Sequence, residues 1–254
     1  MSASIEIRTE GPVRVVTMTG QPRRGNPLSR ELARDLVGAL EDAERDPAIH
    51  ALVLTGTPTH FSVGADLTEV HRLTAVDAVL DDWLEEFDRF AQARKPTIAA
   101  VRGHAVGGGF ELALSCDIIV CAEDARLALP ETGIGVIAGQ GGTQRIMQLA
   151  GRAIAADLIL TGRTLTGTEA GAYGIAARVC PAERVVEEAI AVGQGVAERS
   201  PAAIRFAREV LREAADHPIR QSLRLERLLA FLILDTPERK RRVEAFLNRK
   251  SAKP

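Results

Sequence analysis

An α/β core followed by a helical tail is the fold class that the sequence predicts, and three observations predict it. Short apolar runs closed by glycine or proline alternate with an amphipathic helical stretch over the first half of the chain. The run Thr97-Ile-Ala-Ala-Val101 leads through Gly107, Gly108 and Gly109 into the helix formers from Phe110 to Cys116. Beyond residue 151 helix signals dominate, and Ser200-Pro201 and Thr236-Pro237 each place an N-cap residue before a proline at the first helical position. The expected division is a core over 1–195 and a helical region over 196–254.

Each element follows from its pattern. Apolar and alternating stretches at 5–9 and 13–19 flank Glu10-Gly-Pro12 and read as a β-hairpin. Leu28, Leu32, Leu36 and Leu40 recur every fourth residue, one face of a helix ending near Asp46-Pro47. The run 51–56 is a buried strand, and strand–helix–strand favours a parallel sheet. Residues 57–64 read as a loop, with Asp66 placed to cap the next helix. Leu67, Val70, Leu73, Val76, Leu80, Leu84 and Phe87 predict one or two helices to about residue 94, broken near Thr74, with Trp83 and Phe87 in the core or lining a pocket. Strands are expected at 97–101, 117–122 and 125–129. Helices are expected at 143–150, 183–198, 201–215, 219–234 and 237–249.

Composition narrows the function. A chain of 254 residues with 46% hydrophobic and 26% charged content is ordinary for a soluble globular protein with a substantial core. A net charge of −2 gives no electrostatic case for nucleic acid or a membrane surface as partner. No apolar run approaches the roughly 20 residues that span a bilayer. The N-terminus passes straight into strand pattern, so no secretory signal is expected and the location implied is cytoplasmic. Cys116, Cys121 and Cys180 lack metal-ligand spacing and read as buried free thiols. The basic run Arg239-Lys-Arg-Arg242 reads as a solvated helix face.

The chemistry gathers at the glycine turn. Strand, glycines and helix start are what brings bare backbone N–H groups to a bound negative charge. Glu111 stands on the first turn of that helix, and Glu131 follows in a Pro-Glu turn. Two carboxylates beside a backbone anion site point to acid/base chemistry on a carbonyl compound. A second glycine loop, Phe61-Ser-Val-Gly-Ala-Asp-Leu67, is able to offer a backbone N–H at Val63. His104 beside the site has no ligand partner and reads as a structural or rim histidine. Gly133-Ile-Gly-Val-Ile-Ala138 matches a dinucleotide fingerprint in form only, since a Pro-Glu turn and not a strand precedes it. There is no phosphate-loop, HExxH or GxSxG sequence.

Three segments in order, 61–67, 103–118 and Pro130-Glu131 followed by Gly139-Gln-Gly-Gly-Thr-Gln-Arg145, resemble the crotonase (enoyl-CoA hydratase/isomerase) superfamily. The likeness covers nearly the whole chain, including the ending Asp235-Thr-Pro-Glu-Arg-Lys…Ala-Phe-Leu-Asn-Arg249. The resemblance implies a spiral of ββα turns around a two-layer sheet core, with C-terminal helices that assemble a homotrimer or homohexamer. It implies an acyl-CoA thioester as substrate, coenzyme A being part of the substrate, with no other cofactor and no metal. The thioester oxygen is expected on the N–H groups of Val63 and Gly108, where charge-aimed donors contribute about 3–4 kcal/mol each to catalysis. Water is expected between Glu111 and Glu131, with the Gly139 N–H as a further contact. By resemblance Glu111 activates the water and Glu131 protonates the α-carbon of a 2-enoyl-CoA. Arg24, Ala65, Asp66, Phe246 and Arg249 stand at positions expected to meet coenzyme A. Departures from the common pattern are Ala138 for proline, Asn26-Pro27-Leu28 for Asn-Ala-Leu, and an ending without the final phenylalanine. The alternatives are another reaction of the family, such as enoyl-CoA isomerisation through Glu131 alone, or a non-catalytic acyl-CoA-binding protein.

Overall fold

The computed structural model describes residues 4–82 and 84–251, with Pro22, Arg249, Lys250 and Ser251 described by backbone alone. Two compact units result, Met1–Gln194 and Gly195–Pro254. In the first, the hairpin β1 (Ile5–Glu10) and β2 (Val13–Met18) precedes α1 (Arg30–Arg45), which Ser29 caps by accepting from the Leu32 N–H. Leu32, Leu36 and Leu40 are buried on one face of α1, as their spacing predicts. Then come β3 (Ala51–Thr55), β4 (His60–Ser62), α2 (Leu67–Val70), α3 (Ala75–Leu80), α4 (Glu85–Ala91), β5 (Thr97–Val101), β6 (His104–Val106) and α5 (Gly108–Ser115). They are followed by β7 (Ile118–Ala122), β8 (Arg126–Ala128), α6 (Gly142–Thr161), β9 (Leu165–Thr166), α7 (Gly167–Ala172), β10 (Arg178–Cys180) and α8 (Val185–Ala197).

The strands form two sheets. The larger has the order β1-β2-β3-β5-β7-β10 and is parallel beyond its initial hairpin. Every residue of β3 and β5 is buried, which is why these strands are continuous apolar runs without alternation. The smaller sheet has the order β4-β6-β8-β9. Its strands are two or three residues long, and it converts the expected loop at 57–64 into a loop with β4 inside it. Among its described residues the 67–94 segment holds three short helices. Asp66 and Thr74 cap the first two, and the chain breaks again at Asp82, whose φ is 39°. Trp83 lies outside the described residues. α6 continues eleven residues past the expected end at 150, with a non-helical Gly151 dividing it. Cys116 and Cys121 are buried free thiols, and burial pushes the Cys121 thiol up to about 12; Cys180 is only half-buried.

The second unit holds α9 (Pro201–Asp216), α10 (Ile219–Leu232) and α11 (Pro237–Ser251), close to the expected bounds. Ser200 accepts from the Ala203 N–H at the start of α9 and donates to Glu238 at 2.8 Å. No described helix is long and apolar enough to cross a membrane.

Candidate active site

The site forms where the loop after β4 meets the start of α5. Gly64 has φ 91°, and a β-carbon there would stand 2.7 Å from the Val106 carbonyl oxygen and 3.0 Å from the Gly108 nitrogen. A β-carbon on Gly109 would stand 2.3 Å from the Ser62 carbonyl oxygen. Only glycine permits this approach.

A third segment holds the loop in place. The Val63 N–H donates to the Gly25 carbonyl at 3.0 Å, the Leu28 N–H to Gly64 at 2.8 Å, and the Asp66 N–H to Leu28 at 3.0 Å. The buried Ser62 hydroxyl donates to the Asn26 carbonyl at 2.8 Å and accepts from the Gly64 N–H at 3.1 Å. This pairing turns the Ala65 N–H away from residues 25–28. Among the described residues neither the Ala65 nor the Gly108 N–H has a hydrogen-bond partner, and the Ala65 nitrogen lies 3.5 Å from where a β-carbon on Gly108 would stand. Two unsatisfied N–H groups side by side, one at the positive end of α5, are placed to donate to a single anionic oxygen.

The two carboxylates differ sharply in environment. Glu111, on the first turn of α5, is buried, and its Oε1 accepts from the Gln140 and Gly142 N–H groups at 2.8 Å each. These donors come from the loop that enters α6, whose helix dipole favours a negative charge at that end. A β-carbon on Gly142 would stand 2.8 Å from Glu111 Cγ, so the donor loop reaches the carboxylate only because residue 142 is glycine. Glu131 opens the 3-10 turn after β8, and its Oε1 is buried without a hydrogen-bond partner among the described residues. Burial pushes its carboxyl above the usual carboxylate range; a hydrogen bond from its own backbone opposes this, and the negative field of Glu111 adds to it.

Both carboxylates line a cavity of about 810 Å³, together with Ala65, Gly108 and Gly139. Leu67, Val70, Leu84, Ile134, Val136 and Ile137 supply much of the remaining wall. A family model described as enoyl-CoA hydratase/isomerase matches residues 8–253. The chain belongs to the enoyl-CoA hydratase/isomerase family. A probable enoyl-CoA hydratase of Rhizobium meliloti (strain 1021) is 39% identical over 246 residues, 97% of this chain and 95% of the relative. The mitochondrial enoyl-CoA hydratase of Pongo abelii is 38% identical over 232 residues, 91% of this chain and 80% of the relative. The crystal structure of enoyl-CoA hydratase subunit I from Geobacillus kaustophilus HTA426 matches with a TM-score of 0.93 at 35% identity, covering 97% of this chain and 95% of that one. The α/β crotonase-type core and the C-terminal helices implied by the resemblance are therefore borne out.

Several expected site positions of this family member need restating. Val63 lines the cavity, but its N–H is engaged by Gly25, so the free donor of that loop is Ala65. Gly139 lines the cavity, while the N–H groups that hold Glu111 are those of Gln140 and Gly142. Arg24 stands at the cavity and pairs with Asp66 at 3.2 Å. The Asp66 carboxylate is buried; burial alone would raise it, but hydrogen bonds from Thr68 and Arg24 hold it below its ordinary value. It caps α2 and orients Arg24, and it is not on the cavity wall. Phe246 is exposed on α11 of the second unit, and the Arg249 side chain lies outside the described residues. His104 is exposed and stacks on His60, with ring centroids 5.2 Å apart. The polar residue that sequence reasoning passed over is Gln140, quoted within a motif but assigned no contact.

The raised Glu131 carboxyl fixes a sign. The folded protein keeps this proton at pH values where the unfolded chain, titrating near 4.3, has lost it, so stability falls as pH rises through that window. Infrared difference spectra between the wild type and Glu131→Gln are expected to show a carboxyl titrating above the usual range, with a lower midpoint in Glu111→Gln. A midpoint unmoved by Glu111→Gln would contradict the electrostatic link between the two.

Proposed function

We propose that the protein is an enoyl-CoA hydratase that adds water across the double bond of a 2-enoyl-CoA to give a 3-hydroxyacyl-CoA. The observation that carries this reading is the pair of unlike carboxyls flanking a backbone oxyanion site in one apolar cavity. The relatives named as hydratases support it.

The thioester oxygen is taken to sit on the Ala65 and Gly108 N–H groups, polarising the conjugated double bond so that electron density is drawn from the β-carbon. Glu111, whose Oε1 accepts from two backbone N–H groups, takes a proton from water as the water oxygen bonds to that carbon. The electron pair moves through the α-carbon onto the thioester oxygen as an enolate, which the two N–H groups stabilise. Glu131, whose raised carboxyl favours the protonated form, gives its proton to the α-carbon as the carbonyl re-forms. A carboxylate tied by two backbone N–H donors and a carboxyl raised by burial are suited to base and acid roles. The addition is redox-neutral, so no redox group takes part, and coenzyme A enters only as part of the substrate. The aliphatic wall suits an apolar acyl chain, and Arg24 at the cavity suits a phosphate of the coenzyme.

We also propose a homotrimer or a homohexamer. Leu211, Ile219, Leu228, Phe231, Leu232, Phe246 and Leu247 expose apolar side chains on the helices of the second unit, more than a solitary helical unit commonly leaves to water.

Hydration is followed as loss of the conjugated-thioester absorbance with crotonyl-CoA and longer 2-enoyl-CoAs. Glu111→Gln and Glu131→Gln are each expected to lower kcat by about 10²- to 10⁴-fold with folding retained. Wild-type protein that binds these esters and hydrates none of them would refute the assignment. For the assembly, light scattering is expected to give three or six times the chain mass of 27.2 kDa, and a monomer would overturn it.

A further inference from the structure

The Gln140 side chain stands at the oxyanion site. Its Nε2 lies 3.4 Å from the point that a β-carbon on Gly108 would occupy, and the Ala65 nitrogen lies 3.5 Å from the same point. Gln140 lines the cavity, and among the described residues its carboxamide makes no hydrogen bond. The Oε1 atom is buried and without a partner. A half-buried amide that the fold leaves unsatisfied is costly unless a ligand completes it. The backbone of the same residue is engaged elsewhere: its N–H holds Glu111, and its carbonyl accepts from the Arg145 guanidinium. Backbone and side chain of Gln140 thus face the two ends of the reacting system.

We propose that the Gln140 carboxamide is a third donor to the thioester oxygen, joining the Ala65 and Gly108 N–H groups as that oxygen becomes enolate-like. The inference rests on the reading of the cavity as an acyl-thioester site. Gln140 is then a catalytic residue in its own right, because the amide touches the atom on which charge develops. Backbone donors are fixed by the fold, whereas this one is carried on a side chain and can be removed without disturbing the N–H that anchors Glu111.

The probe is acetoacetyl-CoA, whose enolate has its own ultraviolet band. Titrating that band on the wild type reports the apparent pKa of the bound enol, which an added donor lowers. Gln140→Leu, which keeps the volume and loses the donor, is expected to raise that apparent pKa by about one to two units and to lower kcat for crotonyl-CoA in proportion. The KM is expected to move much less than kcat. The affinity for coenzyme A itself, which lacks the carbonyl, is expected to stay within about twofold, as a lost contact to the thioester oxygen requires. Gln140→Ala serves as the second variant should the leucine disturb folding, and thermal melting checks both. An unchanged enolate pKa in a folded variant overturns the proposal. Wild-type protein that binds acetoacetyl-CoA with no enolate band overturns the oxyanion reading itself, a result distinct from failure of the glutamine alone.

Discussion

The site depends on one piece of backbone pairing. Residues 25–28 take up the N–H groups of Val63 and Asp66 and the carbonyl of Gly64, and so leave the Ala65 N–H without a partner beside Gly108. A buried or half-buried backbone donor left unsatisfied is costly, and folded proteins rarely keep one. Here the surroundings enforce it: Asn26 reaches the carbonyls of His60 and Phe61, Ser62 bridges to Asn26, and Gly64 and Gly109 allow the two segments to touch. Stability drawn from the buried sheet core carries this local cost, and the two orphan donors stay free to receive an anionic oxygen.

The carboxylates show the same division between satisfied and unsatisfied groups. Glu111 is tied by two N–H donors at the start of α6. Glu131 has a buried oxygen with no donor, and it carries the raised carboxyl. In the sequence the two are equivalent glutamates near glycines. Their environments separate them: an oxygen of Glu111 holds two backbone donors, and a buried oxygen of Glu131 holds none.

The centre of the larger sheet was legible because β3 and β5 are buried on both faces. Runs such as Ala51–Thr55 and Thr97–Val101 are apolar at every position but their terminal threonine, and no pattern of alternation is needed to see them. Helix α1 was legible from its leucine spacing, and α9 and α11 from their Ser-Pro and Thr-Pro starts. Of the smaller sheet only β8 was, as the strand expected at 125–129; β4, β6 and β9 are two or three residues long, too short to carry a period. The choice between Val63 and Ala65 as donor was also beyond the sequence. The left-handed backbone at Gly64 turns the chain between them, so the N–H groups two residues apart face different partners. That distinction lives in the hydrogen bonds and not in the motif.

The most direct test of this account replaces one peptide N–H at a time by an ester oxygen, incorporating the α-hydroxy acid analogue at position 65 or at position 63, and compares hydration and folding. The ester at 65 is predicted to lower kcat by about 10²- to 10³-fold while leaving the melting temperature nearly unchanged, because that N–H holds nothing in the free protein. The ester at 63 is predicted to lower the melting temperature, by losing the bond to Gly25, with a much smaller effect on kcat. The reverse pattern, with catalysis lost at 63 and kept at 65, would contradict the account at its centre.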